Sequence, residues 1–489
     1  MAIEGSPTRL RAVARRMAGS GFFRDLAAGF GARLISIGVS TAMLGYPARK
    51  LGPAAYGKYA YAAGLVAYAG VLLSPGLVTW GTREIAQHRP RTGHILTTVN
   101  AIQVLLAGIG YALVWILAST MSDPEQANAL KICALTLFVS ALAIDWVFAG
   151  LEINRVLAPV TIIATLATAG LQLMLVKSPA NLLAYAALGP AVGILGACIS
   201  YALLRPIAHA RLQRPTIQDA RGALRASLTL NGAAALVTLF HHSTTILVRN
   251  FVGVLALGYF ASALRVFEMG GLVTGTLFTI FVPRLSRLAS ESPERARHEA
   301  TWFAAVHVAM GMFLGCAALF EAPTLVQVLF GQQYSPAVPL VRLMGIGIVF
   351  NFAICGYTNC LLSFRQDKVM LRVVAVSAAW AVVGGFALVP WLGAFGAAVV
   401  YAGLDLAGWL SSLTTYRRIV GSLLLKVWVW PVFGGIVIAG VSWALQVIHV
   451  AWPLRAFVEV VAYWAIIAHS LMRMRASLPA PSETASAGK

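Results

Sequence analysis

Long apolar runs separated by short polar breaks dominate this chain. A helix needs roughly 20 apolar residues to cross a bilayer core about 30 Å thick. Fourteen runs are of that order: 28–48, 59–79, 94–118, 128–149, 156–176, 182–204, 227–248, 256–281, 301–320, 338–361, 369–389, 392–412, 426–447 and 454–472. They are continuous rather than alternating, so they predict membrane helices and not the strands of a barrel. The chain holds 45 glycines, many inside these runs, where glycine permits close helix packing. The expected fold is an all-α polytopic membrane protein. Before the first run stand Arg9, Arg11, Arg15, Arg16 and Arg24, with no small-residue cleavage site after a short apolar core. That predicts a basic, membrane-surface start rather than a removed signal peptide. The small, polar tail after Arg475 reads as a disordered segment.

Composition agrees with the pattern. Of 489 residues, 59% are hydrophobic and 11% are charged, against about 25% charged in ordinary soluble proteins. Such a chain cannot hide its apolar side chains and still present a charged surface, which excludes a soluble enzyme or a disordered scaffold. Five cysteines, all in apolar stretches, read as small buried residues rather than a disulfide framework.

Charge then orients the spans. There are 37 Lys and Arg against 17 Asp and Glu, a formal +20. With the N-terminus in the cytoplasm and spans alternating, 27 cations fall inside, 8 fall outside, and Arg33 and Arg265 lie within spans. This bias follows the positive-inside rule and places both termini in the cytoplasm. The +20 is therefore mostly topology, and nucleic acid is not an expected partner.

One internal repeat stands out. Arg49–Ala62 aligns with Asn250–Ala263 at an offset of 201 residues, placing Gly52 on Gly253, Gly57 on Gly258 and Tyr59 on Phe260. The same offset carries Arg83 onto Arg284. Six spans separate the copies, an even number, so the repeats are expected to run parallel about an axis along the membrane normal. The expected organisation is a basic N-terminus (1–27), a six-helix bundle (28–204), a cytoplasmic linker (205–226), a second six-helix bundle (227–412), two further helices (413–472) and a tail (473–489). The two bundles would be related by pseudo-two-fold symmetry.

At these residues the chain resembles the Wzx-type polysaccharide flippases, of the superfamily that includes the MATE exporters. Arg49-x-Leu51-Gly52-x3-Tyr56-Gly57-x-Tyr59 is similar to the family's first outer turn. Gly76-x4-Gly81-Thr82-Arg83-Glu84 resembles the end of its second helix, and Val252-Gly253-x4-Gly258-Tyr259-Phe260-x2-Ala263-x-Arg265 the start of its eighth. Leu329-Phe330-Gly331-x2-Tyr334 and Leu392-Gly393-x2-Gly396 resemble late loops, so the likeness runs from about 28 to 412. It implies movement of an undecaprenyl-diphosphate-linked oligosaccharide across the bacterial inner membrane by alternating access. The implied partners are that lipid-linked glycan, membrane lipids, a glycan polymerase and chain-length components, and a coupling ion, H+ or Na+. No cofactor is implied.

Polar residues inside apolar spans point to a site, because charge in the bilayer core is costly and usually faces a partner or water. Arg33 shares a face with Ser36 and Ser40; it is either a cation for a diphosphate or a snorkelling anchor. Asn231, Thr238, His242, Thr245 and Arg249 form a polar stripe, with His241 about 100° away as a packing residue. That stripe lines a cavity or joins helices. Arg265 and Glu268, at i and i+3, are a local ion pair or a cavity arginine held by a carboxylate; the resemblance favours the second. Lys58 and Arg49 flank the outer end of the second span, suited to a headgroup. Asp145 and Asp405 are candidates for ion coupling, with Glu459 behind them, and Arg83 and Arg284 are candidate gate residues. Asn100, Gln103, Asn351 and Thr358 suit either sugar contacts or interhelical bonds.

An enzyme of glycan assembly is the rival class. Hydrolysis or transfer on sugars commonly uses paired carboxylates, and the outer segment around 320–337 offers Glu321 alone. No HExxH, Walker or Gly-x-Ser-x-Gly motif occurs. The expectation is a transporter, not an enzyme. The alternative within transporters, a MATE-like cation-coupled exporter, would suit a more acidic interior.

Overall fold

A computed structural model describes residues 35–73, 76–208, 215–228, 232–421 and 424–476. Among these residues every regular element is helical. Residues 35–42 are helical, followed by α1 (Tyr46–Leu73), α2 (Leu77–Gln87), α3 (Thr92–Ser119), α4 (Pro124–Ala134), α5 (Thr136–Leu142) and α6 (Asp145–Gly150). Then come α7 (Ala158–Leu175), α8 (Leu182–Ala208), α9 (Ile217–Leu228), α10 (Gly232–Phe251), α11 (Val254–Glu291) and α12 (Pro293–Phe320). The chain continues with α13 (Ala322–Phe330), α14 (Val338–Ser363), α15 (Asp367–Val420), α16 (Leu424–Val447) and α17 (Trp452–Ala476). Among the described residues, 10 helical stretches are long and apolar enough to cross a membrane. Arg33 and Asn231 lie outside the described residues.

Local sequence explains several helix ends. Asp123 caps α4, accepting the backbone N–H groups of Glu125 and Gln126, with Pro124 at the first helical position. Such a cap satisfies donors that have no partner in the helix. Gly52 (φ 76°, ψ 166°) breaks α1 just ahead of Pro53, a residue suited to a helix's first turn. Gly393 (φ 62°, ψ −137°) bends the 54-residue α15. This bend falls at the start of the expected span 392–412, so that span and 369–389 adjoin as one bent element rather than across a loop.

The run at 128–149 departs from expectation. It is α4, α5 and α6 in series, broken near Leu135 and at Ala143 (φ −67°, ψ 128°). The Thr136 hydroxyl bonds the Cys133 carbonyl at 2.6 Å, and the Trp146 indole N–H bonds the Ala143 carbonyl at 3.2 Å. Hydropathy registers the apolar run and is blind to these local bonds.

The chain divides into two compact units, Met1–Leu51 with Ala62–Ala235, and Gly52–Tyr61 with Leu236–Lys489. In the first, α8 packs on α7 and α4, and α2 packs on α6. A Cβ on Gly81 would lie 2.6 Å from the Trp146 ring, and one on Gly150 would lie 2.9 Å from Ile85. Amphipathic α9 rests on α2 and α3. In the second unit, α14 is central, packing on α11, α12 and α15, while α16 and α17 pack on α12. There α12 and α14 cross at Gly315 and Gly345, where a Cβ on either would lie within 2.7 Å of the other's carbonyl oxygen. Close backbone approach is how membrane helices gain packing energy when lipid is as apolar as their side chains.

The outer surfaces suit lipid. On α3, Leu105, Ile109, Leu113 and Ile116 are 52–67% exposed, and Trp391 on α15 is 90% exposed. Contiguous exposed apolar side chains of this kind mark a surface meant to be covered.

Candidate functional site

The second unit gathers several of the expected residues. Val254–Gly258, at the start of α11, packs against the Gly52–Tyr61 segment of α1. That contact sets the aromatic side chains of α1 beside the charges of α10 and α11. Arg265 Nε donates to the Tyr56 hydroxyl at 3.3 Å, and Arg265 Nη1 donates to Glu268 Oε2 at 2.9 Å. Both side chains of the ion pair are a little over 40% exposed. The Arg249 guanidinium lies over the Tyr61 ring, 5.6 Å from its centre, a cation–π contact. His242 stands within electrostatic reach of Arg265. The local ion pair expected for Arg265 is present, and Tyr56 of α1 holds the same guanidinium from a second helix.

The stripe on α10 is not uniform. Thr245 is buried and Thr238, His242 and Arg249 are half-buried. His241 packs, as expected, stacking on Phe240 and meeting the Tyr401 ring edge-on at 5.6 Å. It also stands within electrostatic reach of Asp405. Asp405, on α15 and 8% exposed, accepts a hydrogen bond from Asn351 Nδ2 on α14 at 3.0 Å. Asn351 is therefore an interhelical partner, and so is Asn100, whose amide meets the Tyr201 hydroxyl. Thr358 bonds within its own helix, to the Ile354 carbonyl at 2.7 Å.

Other candidates stand elsewhere. Lys58 is half-buried on α1 of the second unit, while Arg49 is exposed and belongs to the first. Asp145 is exposed in the first turn of α6 in the first unit. Arg83 is exposed on α2, and Arg284 pairs with Glu299 of α12. No cluster among the described residues has the donor set of a metal centre.

Sequence reasoning passed over Tyr56 and Tyr61 as site residues. The Tyr56-x2-Tyr59-x-Tyr61 spacing at the start of a span was a usable signal. Tyr401, ringed edge-on by His241, Phe260 and Phe267, carried no local signal at all.

The model of the polysaccharide biosynthesis protein family matches residues 24–289. The chain belongs to that family. This bears out the resemblance to the Wzx-type flippases. A putative O-antigen transporter of Shigella dysenteriae is 24% identical over 340 residues, covering 67% of this chain and 84% of that one. The capsular polysaccharide biosynthesis protein CapF of Staphylococcus aureus is 22% identical over 197 residues, 40% of this chain. The match spans about half of the CapF relative, 49% of its length. Among solved structures, the lipid II flippase MurJ in an inward closed conformation superposes with a TM-score of 0.67 at 10% identity. That likeness covers 93% of this chain and 99% of MurJ. An inward-facing multidrug-resistance MATE transporter gives 0.56 at 13% identity, over 79% and 94% of the two chains. The fold is that of these transporters.

Proposed function

We propose that this chain is a flippase. Its cargo is an undecaprenyl-diphosphate-linked oligosaccharide, the repeat unit of an O-antigen, capsule or exopolysaccharide, and it works by alternating access in the bacterial inner membrane. The observation that carries this reading is Arg265. Its guanidinium is held by Tyr56 and Glu268 on an apolar helix, yet remains half-exposed. A planar fork of N–H donors suits the oxygens of a diphosphate. Fixing it beforehand lowers the entropy lost on binding. His242 and Arg249 add polar and cationic character to the same unit, and Arg33, Lys58 and Arg49 are further headgroup contacts in this proposal.

The architecture that goes with this function is fourteen spans, six plus six plus two, with pseudo-two-fold symmetry and both termini cytoplasmic. The shared glycine geometry of Gly52 (φ 76°) and Gly253 (φ 120°) at repeat-equivalent positions supports it. The proposed domain limits remain 28–204, 227–412 and 413–472. Asp405, with Asn351 and His241, is the proposed coupling position for H+ or Na+, and Asp145 a second one. Arg83 and Arg284 are proposed as inner gate residues. A polymerase and chain-length components would receive the exported glycan.

The deciding experiment uses proteoliposomes containing the full chain. Polyprenyl-diphosphate-linked oligosaccharide is placed in one leaflet and its headgroup exposure is followed. Headgroup transfer, without efflux of a lipophilic cationic drug, supports the flippase. Drug efflux without headgroup transfer would replace this reading with the MATE-like exporter.

A further inference from the structure

The last two helices carry an ionisable cluster that the flippase reading does not use. Glu321 stands at the N-terminus of α13, 3% exposed. Arg455 of α17 donates to it, and Arg455 also reaches the Thr324 hydroxyl at 3.3 Å. From α16, the Ser442 hydroxyl and the Gln446 amide donate to Glu321 Oε1 at 3.3 and 3.4 Å. Glu459, one helical turn after Arg455, projects from the same face of α17. It is 4% exposed and lies beside Ser442, within electrostatic reach of both Glu321 and Arg455. From α12, the Cys316 thiol stands within electrostatic reach of Glu459.

The charges in this cluster do not balance. Two buried carboxyls share one guanidinium, and Glu321 holds it together with both amide and hydroxyl donors. Glu459 Oε1 is buried with no hydrogen-bond partner among the described residues, and the Ser442 hydroxyl that stands beside this carboxyl also donates to Glu321. A buried, ionised carboxylate oxygen without a donor is among the costliest arrangements in a protein. A proton on that oxygen removes the excess charge. Gln446, at the edge of the cluster, is exposed and is the next-to-last residue of α16, so the cluster lies at a helix end rather than at mid-span.

We propose that Glu459 is a proton-binding site: its Oε1 takes a proton from water to form a neutral carboxylic acid beside the ionised Glu321–Arg455 pair. Loss of the proton leaves two carboxylates on one guanidinium at the contact of α16 and α17 with α12 and α13. The site is therefore a proton-dependent fastening for the last two helices, whatever the transported molecule.

Two measurements on the full chain in detergent test this. Infrared difference spectra between neutral and alkaline pH should show the C=O stretch of a protonated carboxyl. That band should lose a component in Glu459→Gln, and the same component should persist in Asp405→Asn. A band unchanged by Glu459→Gln overturns the proposal. The second measurement needs no variant. An apolar carbodiimide reacts with protonated, membrane-buried carboxyls, so peptide mass spectrometry should find the adduct on Glu459 rather than Glu321, falling by at least tenfold as pH rises. Adduct absent from Glu459 at neutral pH overturns the proposal. Labelling at neutral pH that is blocked by sodium but not by potassium also overturns it, because the site is then a sodium site.

Discussion

Gly57 and Gly258 meet in a reciprocal contact. A Cβ on Gly57 would lie 2.1 Å from the carbonyl oxygen of Val254, four residues before Gly258. A Cβ on Gly258 would lie 1.9 Å from the carbonyl oxygen of Pro53, four residues before Gly57. These are the residues that the 201-residue offset pairs, so each copy of the motif packs on the other through the same atoms. Without side chains, the two backbones approach within the range of Cα–H···O contacts. This contact fixes Tyr56 next to Arg265.

Gly57→Ala and Gly258→Ala should each destabilise the protein by about 1–3 kcal/mol, the usual cost of forcing a methyl into a packed interface. The double variant should lose less than the sum, since one methyl already opens the crossing. Gly70→Ala is the control: among the described residues nothing lies within 4 Å of its Cβ position. It should be neutral or slightly stabilising, because alanine favours the helix. Thermal unfolding in detergent checks all four. A Gly258→Ala protein as stable as the parent would show that the contact is slack.

Arg265→Ala and Arg265→Glu should abolish glycan export, while Arg265→Lys should retain part of it, since a lysine keeps the charge but loses the fork. Tyr56→Phe removes one anchor of the guanidinium, a hydrogen bond to a charged group worth at most about 1.5–3 kcal/mol. It should lower export less than Arg265→Ala does and raise the substrate concentration needed. The measurements are export in cells and headgroup transfer in proteoliposomes, at matched protein levels. Normal export by both the Ala and the Glu variants would show that the charge is dispensable.

The apolar runs made most helices legible, because length and hydropathy decide what crosses a membrane. The 201-residue offset likewise pairs Gly57 with Gly258, the two residues that meet. What stayed hidden depends on distant pairs. Glu321 read as a lone outer acid and Arg455 as one more outer cation, yet they are buried together from positions 134 residues apart. Asp405 read as a candidate for ion coupling with no partner named, although Asn351 donates to it and His241 is within electrostatic reach. Hydropathy counts each charge alone and has no access to its partner.

Helix α9 should dock in a pH-dependent way. Outside the spans, Asp219 accepts from the Thr216 backbone N–H at 3.0 Å and from its hydroxyl, and lies 3.4 Å from His94 of α3. The hydroxyl and backbone bonds from Thr216, with a smaller contribution from His94, hold the Asp219 carboxyl below the usual carboxylate range. A lowered carboxyl adds stability that is present above the unfolded-chain value of about 3.9 and is lost as pH falls through the lower folded value. Hydrogen exchange in α9 should therefore quicken as pH falls below about 4, after correction for intrinsic rates. In Asp219→Asn that step should be absent. An unchanged pH profile in the variant would place the sensitivity elsewhere.

Asp405 should govern any ion dependence of transport. Its carboxyl is buried, has one amide donor in Asn351, and stands within electrostatic reach of His241. A carboxylate in that setting is stable only with a proton, a charged imidazole or a bound cation beside it. Each of these makes the site's occupancy depend on the ion outside, so a gradient of that ion could bias the packing of α10, α14 and α15 around it. Asp405→Asn removes the charge at nearly constant shape. Proteoliposomes with imposed proton or sodium gradients should show gradient-stimulated transfer in the parent and none in this variant, while Asp145→Asn, exposed on the other unit, keeps a larger share. Asn351→Ala should shift the ion concentration required without abolishing the response, because it removes a donor and leaves the charge. Full gradient stimulation in Asp405→Asn would separate this buried acid from coupling and leave it as a structural tie between α14 and α15.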